Sequence, residues 1–114
     1  MAYCTVEQLS SGKCIPCEGG IAPILPVEAE KQVAVLDSWK LSEDGKSISR
    51  SWNCKNFVKS LVFCNAVGEV AEAEQHHPDL HLTGYRHVQV VLTTHAIGGL
   101  SLNDFIVAAK LDRL

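Results

Sequence analysis

The sequence predicts an α+β fold: a two-layer sandwich in which a four-stranded antiparallel sheet carries three helices on one face. Two strand-turn-strand signals, centred on Asp44-Gly45 and Thr83-Gly84, flank a long helix-like stretch from about Asn56 to Gln75. Further helical spacing precedes the first hairpin and follows the second. The resulting order is α-β-β-α-β-β-α, and two hairpins joined by a crossover helix give an antiparallel sheet covered on one side. With 114 residues, 46% of them hydrophobic, the chain suffices for one core without staples.

Residues 1–22 read as an N-terminal extension, an arm without apolar periodicity that ends in Glu18-Gly19-Gly20, and residues 23–114 as the folded domain. Within the extension, Cys14-Ile15-Pro16-Cys17 has the C-x-x-C spacing of a zinc chelate or a redox dithiol. A structural zinc site wants four ligands and no second pair exists, so a plain loop is the stronger reading. Cys54 and Cys64 read as small apolar groups of a core in a reducing compartment.

The first helix starts at Pro26, which suits a first turn, and carries Val27, Lys31 and Ala34 or Val35 at helical spacing up to Leu36. Trp39-Lys40-Leu41 and Ile48 to Asn53 form the first hairpin around Glu43-Asp44-Gly45-Lys46. In the long helix, Phe57, Leu61, Cys64, Gly68 and Ala71 mark the expected buried stripe, and Pro78 stops the helical run. The second hairpin pairs Asp79 to Leu82 with a strand that runs on through Thr93 and Thr94 to His95. After Gly98-Gly99, Ser101 caps a last helix that buries Leu102, Phe105, Ile106 and Ala109.

Charge and hydropathy exclude some functions. A formal charge of −3 with scattered Lys and Arg argues against a nucleic-acid surface. No apolar run is long enough to span a bilayer, and the N-terminus lacks the basic start and apolar core of a signal peptide. The chain reads as cytoplasmic, with nucleus or organelle left open.

Chemistry concentrates between Glu72 and Asp104. Glu72 and His76 stand four apart at a helix end, so both would point from one face, with His77 beside them. The strand would bring His95 to the same neighbourhood. Two imidazoles delivered by two elements suit proton transfer near neutrality. Other readings of these residues exist: His76 and His77 could stabilise a helix C-terminus by roughly 0.3 to 1 kcal/mol. With Glu72, or with a third histidine, they could also form a facial ligand set for iron or zinc.

The spacing Glu72, three residues, His76-His77-Pro78, six residues, Tyr85, nine residues, His95, eight residues, Asp104 resembles the signature of the pterin-4a-carbinolamine dehydratase family. A looser resemblance runs upstream through Leu36-Asp37-Ser38-Trp39, the stretch from Ser47 to Asn53 and the Phe57 helix. The resemblance implies a four-stranded antiparallel sheet with three helices and loss of water from a 4a-hydroxytetrahydropterin, the pterin being substrate and no cofactor or metal being needed. It implies His76 and His95 as the proton-transfer pair, His77 holding the pterin and Glu72 biasing an imidazole. Trp39, which aligns with a family tryptophan, would cover the ring, and Asp104, at the start of the last helix, would be structural first and catalytic second; Thr93 and Thr94, just before His95, could hydrogen-bond the same ring or simply serve strand propensity. It further implies a homodimer or homotetramer, with an aromatic amino-acid hydroxylase or a transcription factor as protein partner. The non-catalytic alternative is a dimerisation cofactor. Leu80 stands where many animal members carry an aromatic residue, which removes a stacking contact.

Overall fold

A computed structural model of the chain describes residues 4–12 and 22–114; Cys14 and Cys17 lie outside the described residues. Helix α1 (Val6–Ser10) occupies part of the N-terminal arm, where no regular element is expected from the sequence. Thr5 and Gln8 cap it reciprocally, and Leu9 is buried in the core. Helix α2 (Pro26–Val33) begins on its proline but is shorter than expected and turned to another face: Ala29 and Gln32 are buried, while Val27 is exposed. The Gln32 amide ties the two segments, accepting from the Cys4 backbone N–H at 3.0 Å and donating to its carbonyl at 2.9 Å.

Strands β1 (Lys40–Leu41) and β2 (Ile48–Asn53) form the first hairpin. Its turn is held by Asp44, whose carboxylate accepts from the Ser42 hydroxyl at 2.6 Å and from the Lys46 N–H at 3.0 Å. These bonds, the Ser42 one first, lower its pKa. Gly45 sits at φ +70 under Pro26, where a Cβ would meet the proline ring at 2.9 Å, so both backbone and space demand glycine.

Helix α3 (Phe57–Glu74) starts at Asn56, whose side chain accepts from the Lys59 N–H at 2.8 Å. Strands β3 (Asp79–Thr83) and β4 (His87–Leu92) complete the antiparallel sheet, which has the order β1-β2-β4-β3. On its inner face Leu41, Ile48 and Leu92 align in one row, Arg50, Val90 and Leu80 in the next, Trp52, Val88 and Leu82 in the third. The outer face is polar and carries His81 and His87, both exposed.

Helix α4 (Leu102–Leu111) lies under this sheet and also contacts α1 and α3. Asn103 to Ala109 and Leu111 are all buried, so the helix is covered on every side and only Leu102 departs from its expected burial. Its far end is locked by Asp112, which accepts from the Trp39 indole N–H at 2.8 Å and pairs with Arg50. Arg50 in turn lies over the Trp52 ring. No helix among the described residues is long and apolar enough to cross a membrane.

Candidate active site

The site forms where the end of α3, the loop after β4 and the start of α4 meet. Gln75, at φ 54 and ψ 39, turns α3 into a left-handed cap, and the His76 N–H returns to the Ala71 carbonyl at 3.1 Å. This bend falls between Glu72 and His76, so the helical alignment expected for that pair is broken. Glu72 instead meets His77, Oε1 to Nε2 at 2.8 Å, in an exposed pair. That contact is the main reason the Glu72 carboxyl titrates below its usual range, with a smaller contribution from Gln75.

His76 takes a different carboxylate. Its Nε2 lies 2.6 Å from Asp104 Oδ1, with the imidazole largely covered and the carboxylate wholly buried. The second oxygen of Asp104 accepts from the Thr94 hydroxyl at 2.8 Å and from the Ser101 N–H at 3.0 Å. Such a carboxylate accepts only, so Nε2 of His76 carries the hydrogen and Nδ1 is the free ring nitrogen. Among the described residues no buried side-chain polar atom lacks a partner. An imidazole fixed in this way can give and take a proton at one nitrogen in one direction.

His95 is not on the strand. Strand β4 ends at Leu92, and His95 opens a 3-10 turn, His95–Ile97, with its side chain exposed. The loop closes between Thr94 and Gly99: the Thr94 N–H donates to the Gly99 carbonyl at 2.9 Å. Pro23 packs on Gly99 so closely that a Cβ there would stand 2.8 Å from the proline. Among the described residues no group of three or more His, Cys, Asp or Glu could hold a metal ion.

Residues 22–114 match the family model described as pterin 4 alpha carbinolamine dehydratase. The chain belongs to this family. A Halorhodospira halophila protein, provisionally named a pterin-4-alpha-carbinolamine dehydratase, is 46% identical over 106 residues, which span 93% of this chain and 96% of that one. The mitochondrial pterin-4-alpha-carbinolamine dehydratase 2 of Arabidopsis thaliana is 41% identical over 115 residues, covering 98% of this chain and 62% of its own length. The crystal structure of a transcriptional coactivator/pterin dehydratase from Brucella melitensis superposes with a TM-score of 0.73 at 27% identity, over 80% of this chain and 96% of that one.

Within this pterin dehydratase fold, three residues expected to contact the ring are otherwise engaged. Trp39 is buried, packs edge-on against Trp52, and gives its N–H to Asp112, the C-cap of α4, whereas Asp104 lies in that helix's first turn. Eight residues of helix separate the two carboxylates, about 12 Å. The Thr93 hydroxyl donates to the Lys46 carbonyl, tying the loop to the first hairpin, and the buried Thr94 hydroxyl donates to Asp104. Asp104, expected at a helix start, is there, and the structure adds its bond to His76. Ser101 is expected as a cap alone; nothing in its spacing announces its hydrogen bond to Thr94, Oγ to Oγ1 at 2.7 Å.

Proposed function

We propose that the protein dehydrates a 4a-hydroxytetrahydropterin to the quinonoid dihydropterin and water by histidine acid-base chemistry, recycling a tetrahydropterin cofactor. The observation that carries this reading is the His76 imidazole held 2.6 Å from a wholly buried carboxylate that the neighbour of His95 also holds. The reaction breaks the C4a–O bond. An acid protonates the departing oxygen while a base takes the N5 proton, and the N5 electron pair closes the C4a=N5 double bond. His76, with Nδ1 free, and the exposed His95 are the proton-transfer groups; His77, steadied by Glu72, holds the ring. Each proton-transfer group contributes about 10² to 10⁴ in rate. Assay of 4a-hydroxytetrahydropterin dehydration by His76→Ala and by His95→Ala should show losses of that order, and wild-type rates in both would overturn the assignment. Cys4, Cys54 and Cys64 are free thiols, in keeping with a cytoplasmic setting.

A second reading concerns association. Phe57, Val58, Leu61 and Val62 form a contiguous exposed apolar face on α3, Val58 with 70% of its surface free. We read it as the surface of a homo-oligomer or of a protein partner. This is compatible with catalysis, because the face lies at the start of α3 and the histidines come after its end.

A further inference from the structure

We propose that Thr94 is the positioning residue that sets both imidazoles from a single point, its hydroxyl fixing His76 through Asp104 and its backbone fixing the loop of His95. The inference rests on the dehydratase reading for its importance, but not for its geometry. The hydroxyl has one proton and gives it to Asp104 Oδ2 at 2.8 Å. The Ser101 hydroxyl, 2.7 Å from the same oxygen, therefore donates to Thr94. The chain of donors runs in one direction, Ser101 to Thr94 to Asp104, and ends on the carboxylate that accepts from His76. Thr94 itself is 4% exposed, so no water replaces the bond if the hydroxyl is lost.

The backbone of the same residue closes the His95 loop. Besides the bond from its N–H to Gly99, the Thr94 carbonyl accepts from the N–H of Gly99 at 3.4 Å and of Ile97 at 3.2 Å. A shift of Thr94 would therefore move the Asp104 contact and the base of the His95 turn together.

The hydroxyl also bears on the protonation of His76. A hydrogen bond to an ionised carboxylate disperses its charge and weakens it as a base toward the imidazole. Taking that donor away concentrates charge on the oxygen pair, so the imidazolium form of His76 becomes more favourable and its titration moves to higher pH. The ionisable groups on the elements that meet here are Lys59, Cys64, Glu69, Glu72 and Glu74 on α3, His77, His95, and Asp104 and Lys110 on α4. Glu72 is paired with His77 and Glu74 with Lys110, while Asp104 is the one bonded to His76.

The test compares Thr94→Val, which keeps shape and backbone but removes the hydroxyl, with Thr94→Ser, which restores it. Nitrogen-15 NMR of the histidine side chains in the full chain reads the His76 tautomer and titration midpoint without substrate. Wild type and Thr94→Ser should show the Nε2–H tautomer and the same midpoint. Thr94→Val should keep the Nε2–H tautomer, since the more basic carboxylate still accepts from it, and show a midpoint raised by on the order of one pH unit. If Thr94→Val does not fold, Ser101→Ala removes the upstream donor together with the hydroxyl oxygen that caps the Asp104 N–H, and should raise the midpoint by a smaller step. An unchanged midpoint in the folded variant overturns the proposal whatever the turnover. Absence of dehydration in the wild type would overturn the reaction and leave this coupling standing.

Discussion

A carboxylate with no contact to water is destabilising unless its oxygens are bonded, and Asp104 meets that condition with three donors from three segments of chain. The opposite case is Glu72, whose pairing with His77 lies in solvent and has mainly electrostatic consequences. Its folded-state pKa is depressed, so the contribution to stability is present above the unfolded carboxylate value, about 4.3, and fades as pH falls through the lower folded one. The stability advantage of wild type over Glu72→Gln should thus be present at neutral pH and vanish in strong acid, as urea denaturation at stepped pH would read. An advantage that persists unchanged at the acid end would show that the carboxylate charge is not its source. At this scale the sequence announces the chemical groups but not their partners. Four-residue spacing pairs Glu72 with His76 only while the helix continues, and the left-handed Gln75, a non-glycine residue in a conformation favoured by glycine, sends no signal that it ends there.

The elements are more legible than their orientations. Both hairpins, the start of α3 near Asn56 and the last helix stand where the turn residues, the helical spacing and the Ser101 cap put them. The buried side of α3 is met only at Ala71: Phe57 and Leu61 are exposed, Gly68 faces open space, and Ser60 and Val67 turn inward instead. A helix apolar on two sides gives periodicity no face to prefer. Helix α1 escapes sequence reading because five residues with a single core anchor carry too little pattern to register. That anchor should nonetheless matter. Leu9 is 1% exposed among the side chains of α4 and α2, and Leu9→Ala should cost about 2–5 kcal/mol, measured by chemical denaturation. A loss near zero would mean that α1 rests on the domain without belonging to its core.

For the whole molecule, the sheet order and the single covered face arise from the alternation of hairpin and helix, and the Brucella structure superposes on the resulting fold. The site is legible as a neighbourhood, because the ends of α3 and β4 must converge on α4, whose length then separates Trp39 from that neighbourhood. The apolar face of α3 gives the remaining prediction. Val58→Glu with Val62→Glu places two charges on that face without touching the core, so folding should be retained while the mass in sedimentation falls to that of one chain. Unchanged assembly would remove this face from the interface.

Helix α4 has no solvent-facing side along most of its length, and this restricts how such a protein can change. Seven consecutive residues, Asn103 to Ala109, have no spare side on which a new group could be tried harmlessly. Variation that retunes the reaction is therefore channelled into the loops at the two ends of that helix, and the buried cylinder between them acts as the fixed datum from which those loops are measured.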